Sequence, residues 1–353
     1  MKKIAVLMIM FSIVFIALAE SAQSADGKID NIGVTGPVPV PENNPLTKAK
    51  IKLGKKLFFD DMLSGDGSMS CASCHDPDQG WTTHTRYSPA YPTITERRNS
   101  PTLVNTAYGK VWIWDGRAGS LDKQALGPMK NPLHMNQNPG LVVEEIRAIP
   151  EYVVLFKEAF DGKITPLNIG KALASFERTI ISENSPFDKY ALGDKKALGP
   201  GATKGLELFK GKAGCIMCHN GPNFTDNKFH NLGVPEPDDF RSRGVQTSLR
   251  FDLKRTKNSD WMNIKSDIGR ATITKDKNDT GKFKTPTLRH VMETRPYMHN
   301  GVFESIEEVL AFYNAGGGDH PNKSPLVRPL DLSDEELSQL KAFLASLTGV
   351  IKY

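Results

Sequence analysis

All four cysteines of this sequence fall into one repeated pattern, Cys71-Ala-Ser-Cys74-His75 and Cys215-Ile-Met-Cys218-His219. Two thiols at this spacing reach the two vinyl groups of one porphyrin, and the histidine that follows is delivered to the iron. The pattern therefore reads as covalent attachment of two c-type haems, with His75 and His219 as the proximal ligands. Two disulfides are the ordinary alternative in an exported chain. A thioredoxin-like redox motif explains neither the histidine after each pair nor the doubling. A shared zinc ion needs the two pairs to meet in space, although they lie far apart in sequence.

A second stretch, WIWDGRAGSLDKQALGPMKNPLHM at 112–135, holds no cysteine but is dense in groups that could serve a reaction. It contains Trp112, Trp114, Asp115, Arg117, Gln124, Pro128 and His134.

These groups need a scaffold. The chain has 353 residues, 24% of them charged and 39% hydrophobic, which is globular composition with length for about two domains. Lys2 and Lys3, an apolar run from Ile4 to Leu18 and the small residues Ala17 and Ala19 make residues 1–19 a secretory signal peptide. An uncleaved anchor is the alternative. The mature protein is thus expected to start near Glu20, in the periplasm, with no membrane contact after cleavage. Loss of the two lysines takes the formal charge from +5 to +3, too weak to argue for nucleic acid.

Gly54-Lys-Lys-Leu57-Phe58 precedes the first cysteine pair and Gly205-Leu-Glu-Leu208-Phe209 the second. Each predicts a short helix that leads into a haem loop, so the fold class is mainly α with two cytochrome c-like domains, each carrying one covalent c-type haem. The expected division is an extended N-terminal arm at 20–45, an N-terminal domain at 46–184, a linker at 185–200 and a C-terminal domain at 201–353. Thr165 can cap a helix whose Ile169, Leu173, Phe176 and Ile180 share one face. Ser305 to Asn314 is a second candidate closed by Gly316, and Ser333 with Glu336 is a capping box that opens a helix running to about Leu347. The Asp-, Lys- and Asn-rich segment 235–284 reads as long excursions on the second domain.

The mature chain resembles the bacterial di-haem cytochrome c peroxidase family, which includes the maturation enzyme MauG. The resemblance lies in LGKKLFFD, CASCH, RNSPTLVN, WDGRAGSLDKQA, CIMCH and FKTPTLRHVMETRPYMHNG, in that order. It implies that the N-terminal haem, on His75, is the peroxidatic site and that the C-terminal haem, on His219, stores and relays an electron. It implies that Trp114 couples the two haems, though a plain core aromatic is compatible with this. Gln124 and Pro128 match positions that line the peroxide pocket. Asn99, Thr294 and Pro296 match the ligands of a calcium ion, a set of oxygens that suits a hard cation.

Two positions depart from the ordinary peroxidase pattern. Most members carry a Glu-Met pair where this chain has His134-Met135. That glutamate moves a proton between the oxygens of peroxide, and a histidine can do the same near neutral pH. Iron ligation or simple packing by His134 are the open alternatives. At the sixth position of the C-terminal haem typical peroxidases place a methionine; this chain has Tyr313, as in MauG. A core tyrosine, or Met298 as the ligand, are the alternatives. His84 is a candidate distal ligand in the loop after the first haem. His299 is expected beside the second haem, and His230, His290 and His320 only in structural roles.

The leading expectation is a periplasmic peroxidase that reduces H2O2 with electrons from a small cytochrome c or cupredoxin. The first alternative is a MauG-like enzyme that uses H2O2 and a high-valent state to oxidise Trp or Tyr side chains of a protein substrate. The second is a di-haem electron-transfer cytochrome without peroxidase activity. A homodimer is compatible with each.

Overall fold

The computed structural model describes residues 32–33, 35–91 and 94–353. The expected signal peptide and the first part of the arm lie outside the described residues. Eight helices of nine or more residues carry the described chain: α1 (Lys48–Phe58), α2 (Pro139–Arg147), α3 (Pro150–Phe160), α4 (Pro166–Glu177), α5 (Pro200–Lys210), α6 (Arg243–Arg255), α7 (Ile306–Asn314) and α8 (Asp334–Ala345). The strands are short: β1 (Pro89–Ala90), β2 (Ile94–Thr95), β3 (Ile181–Glu183), β4 (Phe229–His230), β5 (Phe283–Lys284) and β6 (Val350–Lys352). They form three antiparallel pairs, β1 with β2, β3 with β6 and β4 with β5.

Five of these eight helices, α1, α2, α4, α7 and α8, begin where a side chain accepts from a first-turn amide. Thr165 Oγ1 accepts the Asn168 amide at α4, with Pro166 in the first turn. Reciprocal capping boxes start α7 (Ser305 with Glu308) and α8 (Ser333 with Glu336). After α7, Gly316 takes a φ of +87°, a conformation that favours glycine.

The sequence repeat is a repeat of one helix crossing. α1 packs on α4 and α5 packs on α8. At the first crossing Gly54 lies so close to α4 that an added Cβ would stand 1.9 Å from the Ala172 carbonyl oxygen. At the second, a Cβ on Gly205 would stand 2.0 Å from the Gln339 carbonyl oxygen. Phe176 and Phe343, four residues further along the partner helices, flank the two glycines in the same way. Two apolar cores grow from these crossings. The first contains Leu53, Leu57, Phe58, Leu173, Phe176 and Ile180. The second contains Phe209, Phe224, Leu340 and Phe343.

Three features differ from expectation. The stretch 185–200, read as a linker, holds a helix at Pro186–Ala191 opened by a Ser185–Asp188 capping box, and its Phe187 is buried in the second core. The capping residues and one aromatic outweigh the polar composition around them. The arm is anchored as well: Ile32 is buried in the second core, and Asn44 donates to the Lys171 carbonyl on α4 at 3.0 Å. The excursion 235–284 does not project away from the first half. Its helix α6 buries Val245, Leu249 and Leu253 on one stripe, and this stripe packs with Tyr87 near the β1–β2 hairpin. β6 also returns to the first half, where Ile351 joins the first core and Tyr353 meets Trp81 with ring centroids 4.8 Å apart.

Candidate active site

Each Cys-x-x-Cys-His motif forms a 3-10 turn, at Cys71–Ser73 and Cys215–Met217, that brings the histidine amide back to the first cysteine carbonyl. His75 Nδ1 lies 3.2 Å from the Trp81 carbonyl oxygen, and His219 Nδ1 lies 3.0 Å from that of Phe224. A carbonyl only accepts, so Nδ1 carries the hydrogen and Nε2 keeps the lone pair that a metal needs. Burial holds both imidazoles down at about 4, so they are neutral, the ligand form.

All four thiols are free, which removes the disulfide alternative. Among the described residues, the one group of His, Cys and acidic atoms close enough for a shared metal is Cys218, Asp226 and His230. The two cysteine pairs therefore do not converge on one zinc ion. Both line one cavity of about 1010 Å³, at the top of the usual range for ligand sites of roughly 300–1,000 Å³. The residues fit a covalent haem at each end. Lys284, pushed down to about 8 by burial, adds an ammonium on the wall that suits an anionic edge group of a porphyrin.

Trp114 lines the same cavity. It is buried, lies edge-on to His299 with centroids 6.5 Å apart, and donates its indole N–H to the Asn99 carbonyl at 2.8 Å. His299 in turn stacks on Phe283 at 3.5 Å. Burial holds the His299 imidazole down at about 3, so it is a neutral packing partner.

The flanking Asp115 and Arg117 belong to a closed ring of alternating charges. Asp267 binds Arg98 (2.6 and 2.8 Å), Arg98 binds Asp115 (2.7 Å), and Asp115 binds Arg117 (2.9 Å). Arg117 binds Asp252 (2.6 Å), Asp252 binds Arg97 (2.5 Å), and Arg97 returns to Asp267 (3.1 Å). Burial works against the Asp115 charge, but Arg98 and Arg117 hold its carboxyl down at about 2. In such a ring each charge is satisfied from two sides, and loss of one member leaves its neighbours buried and unpaired. The ring joins the WDGR turn and the RRN segment to α6 and the loop after it. It therefore fixes the backbone that follows Trp114 and the segment leading to Asn99, whose carbonyl accepts the Trp114 indole N–H.

Gln124, Pro128 and His134 all line the cavity, as do Cys74 and His75. His134 Nε2 lies 2.7 Å from Glu96 Oε1. Glu96 is buried on the cavity wall and also accepts the Ser248 hydroxyl at 2.6 Å. It was not singled out above, because nothing in the local TERRNSP pattern marks it. A second unexpected carboxyl is Glu177, at the end of α4. It is buried on the wall, its Oε2 has no hydrogen-bond partner, and burial pushes it up to about 8 despite Arg178.

At the other end α7 turns Tyr313 to the cavity, where burial and the nearby Cys215 and Cys218 raise its phenol above the usual range. Met298 lines the cavity too. His84 is exposed, absent from the cavity wall, and its Nε2 lies 3.0 Å from the Glu293 carbonyl. His290 sits between Ser182 (2.7 Å) and Glu293 (2.8 Å), and His320 between Asn231 and the Asn322 amide. His230 lines the cavity, and its bond to Asp226 at 2.8 Å, first among several causes, raises it to about 9. Asn99, Thr294 and Pro296 all line the same cavity.

Residues 48–196 match the family model for di-haem cytochrome c peroxidase. The chain is 42% identical over 339 residues to the cytochrome-c peroxidase IdrP1 of Denitromonas iodatirespirans, covering 94% of this chain and 90% of that one. The chain belongs to the di-haem cytochrome c peroxidase family. It is also 39% identical over 317 residues to the methylamine utilization protein MauG of Methylorubrum extorquens, covering 88% and 81%. Among solved structures it is similar to a MauG-like protein associated with microbial copper homeostasis, with TM-score 0.76, 28% identity and 89% and 93% coverage. The fold also matches that of the diheme peroxidase BthA from Burkholderia thailandensis, with TM-score 0.70 at 23% identity over 90% of each chain. Family membership makes this an oxidoreductase acting on peroxide, with haem c as its cofactor. No helix among the described residues is long and apolar enough to cross a membrane.

Proposed function

We propose that this chain is a periplasmic di-haem peroxidase that reduces H2O2 to two waters, taking two electrons from a small cytochrome c or cupredoxin. One observation carries the reading: a single cavity is lined by both Cys-x-x-Cys-His turns and by His134, Gln124 and Pro128. Covalently held on Cys71 and Cys74 with His75, and on Cys215 and Cys218 with His219, the two haems would supply the iron for peroxide reduction and electron storage.

The chain's own residues do the rest. His134 takes a proton from one peroxide oxygen and returns it to the other, so that the far oxygen leaves as water. Gln124 offers an amide to orient the peroxide, and Pro128 excludes water. The Nδ1–H bonds to Trp81 and Phe224 hold both proximal rings in the ligating tautomer. Trp114 lies on the path between the two ends. Asn99, Thr294 and Pro296 would hold Ca2+ by one side-chain and two backbone oxygens. In support, the Asn99 amide nitrogen is committed to the Thr85 carbonyl at 3.0 Å, which leaves Oδ1 for the cation. Export by the segment 1–19 fits haem attachment outside the cytoplasm.

One observation favours a MauG-like second reading, with a protein Trp or Tyr as the electron source. Tyr313 lines the wall at the Cys215–Cys218 end, where a phenolate oxygen would stabilise higher oxidation states better than a thioether. The test is to add one equivalent of H2O2 to the diferric protein and follow the absorption spectrum. A long-lived oxidised species without prior reduction supports the second reading. Activity only after half-reduction, with turnover of reduced cytochrome c, supports the first. No reaction in either state leaves an electron-transfer cytochrome.

A further inference from the structure

The structure assigns Glu96 as the positioning residue of His134, and we propose that the two work as one proton-carrying pair. This rests on the reading of His134 as the proton carrier. Glu96 meets His134 Nε2 at 2.7 Å with one oxygen and the Ser248 hydroxyl of α6 at 2.6 Å with the other. The backbone joins the same two residues. Glu96 N donates to Ser88 O at 2.9 Å across the β1–β2 hairpin, and Tyr91 N of that hairpin donates to His134 O at 3.0 Å.

A carboxylate only accepts, so the bond fixes the hydrogen on Nε2 and leaves Nδ1 as the nitrogen that exchanges a proton. Burial alone would push the Glu96 carboxyl up. The His134 charge and hydrogen bond, with help from Arg97 and Ser248, hold it down at about 2. Glu96 is thus held as an anion beside the His134 ring, with Arg97 3.7 Å away and the Ser248 hydroxyl on its other oxygen. The charged and titratable groups facing the pair are Arg97, 3.7 Å from Glu96, and the Cys74 thiol, which haem attachment removes as an acid.

The pair accounts for the departure at position 134. Related peroxidases are expected to carry a carboxylate there, with one negative charge in its working form. Neutral His134 with ionised Glu96 has the same charge, supplied from a different segment of the chain. The proton balance is closed: His134 removes one proton from H2O2 and gives the same proton to the leaving oxygen, and Glu96 neither gains nor loses one.

The test uses the holoprotein and reads the bimolecular rate with H2O2, and separately cyanide affinity, across pH. Both need a deprotonated base in the pocket, and cyanide binding involves no turnover. Glu96→Gln keeps the hydrogen-bond acceptor but removes the charge, so His134 becomes harder to protonate. The acid limb of both profiles moves down by about one pH unit or more, and the plateau rate falls about tenfold. Glu96→Asp, which keeps the charge, leaves the limb within about half a unit of the parent. Unmoved limbs in Glu96→Gln overturn the pairing, provided that His134→Ala is slow. A fully active His134→Ala instead sinks the underlying reading of His134. Should Glu96→Gln not fold, 15N NMR of histidine-labelled parent protein in its reduced carbon monoxide form decides. A protonated Nε2 is expected, and a neutral ring with its hydrogen on Nδ1 contradicts the pair.

Discussion

Trp114 donates its indole N–H to the backbone carbonyl of Asn99 at 2.8 Å, and the Asn99 amide donates to the His299 carbonyl at 2.8 Å. The cavity wall at Trp114 is thereby tied to segments from both halves of the chain. The closed Asp–Arg ring braces the same wall, so the tryptophan is held as a structural plug, and its proposed second role is that of the aromatic ring on the path between the sites.

Replacing the ring tests the second role. In Trp114→Phe the apolar plug is largely kept, but the indole and its bond to Asn99 are lost. Steady-state turnover with reduced cytochrome c is expected to fall about tenfold or more, while the initial reaction with H2O2 changes little. Stopped-flow and steady-state rates on the same preparation separate the two. An equal loss in both assigns Trp114 to packing alone.

Tyr313 is the residue on which the choice between the two enzyme readings turns. Tyr313→Phe removes the phenol oxygen from the wall near Cys215 and Cys218. The low-spin electron paramagnetic resonance signal of the resting protein should change its g-values. An unchanged signal means that Tyr313 is not the ligand, and Met298, on the same wall, is then tested in the same way.

The glycine crossings predict stability. In Gly205→Ala the new methyl would lie 2.0 Å from the Gln339 carbonyl oxygen, so α5 and α8 must separate. The expected loss is about 1–3 kcal/mol in urea unfolding of the holoprotein. Gly201→Ala, on the same helix, meets only the Ala342 Cβ at 3.8 Å and should be neutral or stabilising by up to about 1 kcal/mol. Similar losses for the two would remove the crossing argument.

Glu177 predicts a pH dependence. Its buried carboxyl titrates at about 8 in the folded chain, whereas an unfolded glutamate titrates near roughly 4.3. From there up to about pH 8 the unfolded state sheds a proton that the folded state retains, so this group disfavours folding increasingly as pH rises. Glu177→Gln should gain stability over the parent, and the gain should be larger at pH 8 than at pH 5 by about 1 kcal/mol or more. An equal difference at both pH values would show that Glu177 is ionised when folded.

What could be read from the sequence was local. The haem turns are written in five consecutive residues each, and the caps of α4, α7 and α8 in three or four. The paired glycines marked the equivalent helices, although only the structure shows that each is a point of backbone contact. Residues whose meaning depends on a distant partner were not legible. Glu96 acquires its role from His134 and Ser248, and the Asp–Arg ring draws on four separated segments. α6 was hidden because its apolar stripe of Val245, Leu249 and Leu253 is diluted by charge. The 185–200 stretch misled for the opposite reason, since one buried phenylalanine and a capping box suffice to fold a polar segment.

The central claim is that His134 carries the proton that peroxide reduction needs. Its most direct test is the second-order rate of H2O2 with the holoprotein, parent against His134→Ala, at neutral pH and matched haem content. The account predicts a loss of about a hundredfold or more in the variant. A variant that reacts at the parent's rate contradicts it.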